Sequence, residues 1–178
     1  TMQPAAARVE MTQRALNEYF AIAPYRNWFS ANEHVLNGFS ASYYGSGSNT
    51  ALHTDLLSPI ATKRTWSDLS ERERQGLAAP GVKIWHNLVT ELRPQLVLVS
   101  VARSHLDRLL FRLISPWSNR LVLPEKPQFP IRTAVLETWP GGVSDFVFAR
   151  AAQVPFGFFT NDEKRAIGPG LRGRLSNW

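Results

Sequence analysis

The sequence predicts an α/β fold, as a three-layer α/β/α sandwich around a mainly parallel sheet of about four strands. Three observations predict it. Stretches with helical spacing alternate with stretches of strand character. The run 95–101 (QLVLVSV) is almost continuously apolar, as a parallel strand covered on both faces is. No linker is long enough to divide the chain, so residues 1–178 are expected to form one unit, with a loose basic tail at 169–178.

Taken in order, residues 5–20 place Val9, Leu16, Tyr19 and Phe20 near helical spacing, and Pro24 ends that region. Ser30 and Glu33 form a capping-box pattern, which predicts a short helix through Leu36 closed by Gly38. Residues 41–50 are rich in Ser, Gly, Tyr and Asn and read as a mobile loop. Residues 51–57 (ALHTDLL) read as a strand stopped near Pro59. A second capping box, Ser70 with Glu73, predicts a short helix ending at Gly76. A stronger helix follows from Gly81 to Leu92, with Val82, Trp85, Leu88, Val89 and Leu92 on one stripe. After the strand at 95–101, Leu106, Leu109, Leu110 and Leu113 predict a helix over 102–113. The proline-rich stretch 116–130 reads as a surface connection. Residues 131–137 and 145–149 read as strands, and Thr160 with Glu163 caps a last helix closed at Gly168.

The formal charge is +6, and it rises along the chain. Residues 1–55 carry three Lys/Arg against four Asp/Glu, whereas residues 103–178 carry eleven against six. Such a field attracts polyanions, and it equally serves solubility. There is no cysteine. That excludes disulfides, thiolate-held metals and a cysteine nucleophile, and it suits a reducing, cytoplasmic setting. No stretch reaches the roughly 20 apolar residues that cross a bilayer, and the start lacks a basic region followed by an apolar one, so neither a membrane span nor a signal peptide is expected.

In α/β sheets ligands bind beyond the carboxyl ends of strands. That rule selects Thr54, Asp55 and Ser58, then Ser100, Arg103, Ser104 and His105, then residues 137–142. Asn49, His53 and Asp55 are the densest polar cluster on a predicted strand, and alternation puts His53 and Asp55 on one face. A histidine beside a carboxylate suits acid–base work; the alternative is that Asp55 caps a turn and His53 is a hydrogen-bonded core residue. Tyr43, Tyr44 and Trp66 are interleaved with Lys63 and Arg64, a pattern that stacks on bases and meets phosphates, or simply packs. Arg103, Arg150, Lys164 and Arg165 are further candidate phosphate contacts. No glycine-rich phosphate cradle, nucleophile elbow or metal-ligand spacing occurs, and no cofactor or metal is expected.

The strand string LHTDLLSP at 52–59 and the strand at 95–101 with the helix expected after it resemble the uracil-DNA glycosylase superfamily over about residues 49–140. The resemblance implies a base-reading pocket, a flipped base and DNA or a nucleobase as partner. Asp55 falls where that family has its base-reading asparagine, and its carboxylate would favour a base edge rich in donors. Residues 138–142 (TWPGG) stand where the family has a histidine-containing loop. The implied function is nucleic-acid or nucleobase binding, as a divergent DNA glycosylase or an inactive relative. The alternatives are a small-molecule hydrolase using His53 and Asp55, and a non-catalytic interaction protein.

Overall fold

A strand buried on both faces organises the molecule in the computed structural model, which describes residues 5–45, 48–58, 65–152 and 154–176. The elements are α1 (Ala5–Ile22), α2 (Arg26–Gly38), β1 (Ala41–Ser42), β2 (Asn49–Thr50), α3 (Glu71–Leu92), β3 (Leu96–Val99), β4 (Arg112–Leu121), β5 (Ile131–Trp139), β6 (Gly142–Phe148) and α4 (Asn161–Leu171). The main sheet has the order β3-β6-β5-β4, and β1 and β2 form a separate two-residue pair.

The chain is therefore α/β in the general sense, but the sheet is mixed. Within the main sheet only β3 and β6 run parallel; β6 with β5 and β5 with β4 are antiparallel. The expected mainly parallel sheet fails at one turn. Trp139 pairs with Gly142, so Pro140 and Gly141 alone link β5 to β6, and a two-residue connection joins only antiparallel neighbours. Gly141 takes φ +74° there, a conformation that glycine adopts without strain.

The helix expected over 102–113 is also replaced. Its first part is a short 3-10 turn, Arg103–Arg108, and β4 then begins at Arg112. Leu106 and Leu109 are buried as the helical spacing implies, but Leu110 and Leu113 are exposed. The connection expected at 116–130 is β4 as far as Leu121. Pro116 is tolerated because β4 is an edge strand whose register shifts between Ser115 and Ser118, where no ladder donor is needed.

Alternation in β6 divides the core in two. Phe146 and Phe148 meet Ala78, Val82, Trp85 and Val89 of α3. Val147, with Ala149 just beyond the strand, meets Val35 and Phe39 from the α2 side and Ile167 and Leu171 of α4. Buried hydroxyls tie the α3 side to the sheet. Thr138 Oγ1 and Ser144 Oγ share a 2.7 Å hydrogen bond, Ser144 donates to the Pro94 carbonyl, and Thr90 donates to the Thr138 carbonyl.

Helix ends follow local chemistry with instructive exceptions. The capping boxes at Ser70/Glu73 and Thr160/Glu163 both form. The one expected at Ser30 does not, because α2 starts earlier, at Arg26, and Glu33 instead accepts from Ser42 Oγ and the Tyr43 N–H. The two helices expected at 70–76 and 81–92 are one, α3. Pro80 removes the N–H that would reach the Gly76 carbonyl, and both residues are exposed, so water meets that carbonyl.

α4 likewise runs past Gly168 through Pro169. Pro169 cannot donate to the Arg165 carbonyl, and that carbonyl lies against Gly38, where a Cβ would sit 2.5 Å from it. A Cβ on Gly168 would overlap the Gly38 carbonyl. The tail beyond α4 is held rather than loose as far as Ser176: Leu175 is buried, Ser176 N–H donates to Asp145, and Arg174 donates to the Arg120 carbonyl. Gly168→Ala should therefore prise α2 from α4 and cost about 1–3 kcal/mol, read as a lower urea midpoint with an unchanged slope.

Candidate functional site

β3 is the outer strand of the sheet, and its unpaired edge opens on a cavity of about 750 Å³. Every residue from Gln95 to Val101 lines it. Successive side chains point to opposite faces, so a cavity that touches them all meets the strand edge-on. The carbonyls of Gln95, Val99 and Val101 accept from Asp145, Ala149 and Ala151 on the β6 side. Leu96, Leu98 and Ser100 therefore direct their backbone groups to the other edge, where no described strand pairs with them.

Residues 49–56 form the opposite wall. The strand expected at 51–57 does not form: the chain there is irregular, with a bend at Leu56 and Leu57. It is drawn toward α3 instead of β3. Trp85 Nε1 donates to Thr54 Oγ1 at 3.1 Å, and the Leu57 backbone lies so close to Gly81 that a Cβ there would come within 2.7 Å of its carbonyl oxygen. Leu56 and Leu57 are buried in the α3-side core. Trp28, Asn32, Val35 and Leu36 of α2 and Trp85, Leu88, Val89 and Leu92 of α3 supply the side walls. The lining is mainly apolar with a few polar groups, the usual make-up of a small-molecule site.

His53, Asp55 and Asn49 all line this cavity. His53 is half-buried, with its ring edge-on to Trp28 and Phe29. Burial lowers its pKa from the ordinary 6.5, and the nearby Asp55 carboxylate opposes that shift in part. His53 is accordingly a neutral base near pH 7. Asp55 is exposed. Asn49 spends its backbone N–H on the Ser40 carbonyl, 3.0 Å away.

The other expected contacts are scattered. Tyr43 also lines the cavity, but its ring stacks on Phe20 at 5.0 Å and burial raises its phenol pKa, with Glu33 adding to the rise. Tyr44 lies beneath Arg26, and Trp66 packs against the α3-side core. Arg103 and Arg150 are exposed, the latter over the Phe158 ring. Arg165 is paired with Asp162. Lys164 is not a surface cation: it is 3% exposed and donates to the Ala31 carbonyl at 2.9 Å. Lys63 and Arg64 lie outside the described residues. Residues 137–142 form the β5–β6 turn, where Glu137 pairs with Arg112.

Sequence reasoning missed Asn32. It is 4% exposed, it lines the cavity, and neither its amide nitrogen nor its amide oxygen has a hydrogen-bond partner. The signal was present: Asn32 shares one stripe of α2 with Trp28, Val35, Leu36 and Phe39, an amide where the spacing calls for an apolar side chain.

Among the described residues no group of His, Asp and Glu could hold a metal, and no helix is long and apolar enough to cross a membrane. Comparison with protein-family profiles, with curated proteins and with solved structures gives no match. β3 lies at the edge of the sheet and leads into a 3-10 turn in place of the helix expected over 102–113.

Burial also lowers the pKa of His34 and of His105, with nearby Arg165 and Lys164 assisting at His34 and Arg108 at His105. Three histidines therefore bind protons more weakly when folded than when unfolded. The unfolded chain takes up more protons below the ordinary value of 6.5, so stability holds above that pH and is lost as pH falls through it. Melting temperature should drop on acidification from about pH 7 to about pH 5, more steeply than in a His53→Gln variant.

Proposed function

We propose that this protein acts on a small, mainly apolar molecule held in the β3-edge cavity, as a hydrolase in which His53 and Asp55 form an acid–base pair. The observation that carries the proposal is that both side chains open on one largely apolar cavity while His53 stays neutral. In this reading neutral His53 takes a proton from water as that water attacks an acyl carbon. Asp55 then steadies the imidazolium, which returns its proton to the leaving group. The tetrahedral intermediate's oxyanion faces the polar lining, where Ser100 and Thr54 lie. An α/β/α layering and a cytoplasmic, reducing setting belong to the same proposal, the second resting on the absence of cysteine.

A nucleobase- or DNA-binding role, the one that the glycosylase resemblance implies, has one observation of its own. Arg103 and Arg150 are exposed and stand within two residues of the lining residues Val101 and Ala151. A polyanion at the cavity mouth would meet both cations.

Turnover of p-nitrophenyl acyl esters by the purified protein tests the first reading. The rate should rise with pH and level off with a midpoint below 6.5, the ordinary histidine value. His53→Gln should lower kcat/KM by about 10²–10⁴-fold. Equal rates in the variant would remove the reading. For the second, affinity for single-stranded DNA should fall steeply between about 50 and 200 mM salt, and less steeply in an Arg103→Ala/Arg150→Ala double variant. Salt-independent binding, or none at low salt, would dismiss it.

A further inference from the structure

We infer that the cavity recognises its ligand through an amide or lactam edge, with Asn32 as the specificity-determining residue; the inference rests on the reading of this cavity as a small-molecule site. A carboxamide presents a donor and an acceptor side by side. In Asn32 both are buried at the cavity wall without a partner. Leaving such groups unpaired is costly, and buried amides are almost always satisfied. A ligand carrying an N–H beside a C=O pairs with both at once, its N–H donating to Asn32 Oδ1 and its C=O accepting from Asn32 Nδ2.

A second, independent feature points the same way. Leu96 and Leu98 present backbone groups to the same cavity, from an edge with no described neighbour. They too are amide donors and acceptors at strand spacing. Apolar side chains from α2, α3 and β3 make up most of the remaining lining, with His53, Thr54, Asp55 and Ser100 among its polar groups. A ligand that is an apolar body with one or more amide groups matches this inventory. An anionic one does not, because among the described residues no Lys or Arg lines the cavity and His53 is neutral.

The test is a matched set of probes titrated into the isotope-labelled protein and followed by the side-chain amide resonances: ε-caprolactam, N-methylcaprolactam and cycloheptanone. These share a ring size and differ in the donor, or in the whole amide. Caprolactam should bind about tenfold more tightly than either analogue, the worth of one or two buried hydrogen bonds, and should shift the Asn32 NH₂ pair. Asn32→Leu should erase that preference and yet melt about 2–4 °C higher, because it removes a buried unpaired amide. Asn32→Asp should weaken caprolactam, having no donor for its carbonyl. Equal affinity for all three probes in the native protein would overturn the inference and leave the cavity reading intact. No binding of any probe, with Trp28 and Trp85 fluorescence unmoved, would overturn both.

Discussion

Everything in this molecule hangs on β6, a strand that must satisfy water-free surroundings on both faces. Phe146 and Phe148 fill one side, and Val147 with Ala149 just beyond its end fills the other, so helices are required on each. A two-residue turn pins β5 to one edge of β6, and the run of apolar residues in β3 takes the other. Once β3 is the outer strand, its far edge needs cover. The segment at 49–56 provides it only at a distance, because Trp85 and the bare Gly81 backbone hold that segment to α3. The cavity is the space left between these two demands.

The same geometry explains why chemistry collects there. His53 and Asp55 both line the cavity, two residues apart on the irregular chain that follows β2. The surrounding aromatics lower the dielectric around His53 and keep its proton off, while Asp55 remains in water. Residues farther along the chain, such as Arg165 and Lys164, are committed to ion pairing or to α2–α4 packing.

Much of this was legible from residues alone, for reasons that differ by element. The capping boxes at Ser70 and Thr160 were readable because they are local, each closing within four residues. β3 was readable from its continuous apolar character. The segment 102–121 was misread because four leucines at helical spacing, and then prolines that signal a connection, outweighed a tertiary fact, the partnership of β4 with β5, which recruits the chain into the sheet. The segment at 51–57 has strand chemistry and no strand neighbour, and only three-dimensional packing reveals that. His53 and Asp55 stood out as a polar pair, whereas Asn32 was hidden because one amide in an apolar stripe resembles noise until its two unmatched atoms are located.

The contact of Gly38 with Gly168 brings α2 and α4 together backbone on backbone at that point. The opposing wall is irregular chain tied point by point: the Asn49 and Ala51 N–H groups donate to the Ser40 and Ser42 carbonyls, Trp85 donates to Thr54, and Leu56 and Leu57 are buried. The two flanks of the cavity therefore differ in kind, one helix backbone against helix backbone and the other a chain tied at separate points. Asn32, carried on the helix packed against α4, is thereby a fixed reference point against which a guest in the cavity is measured.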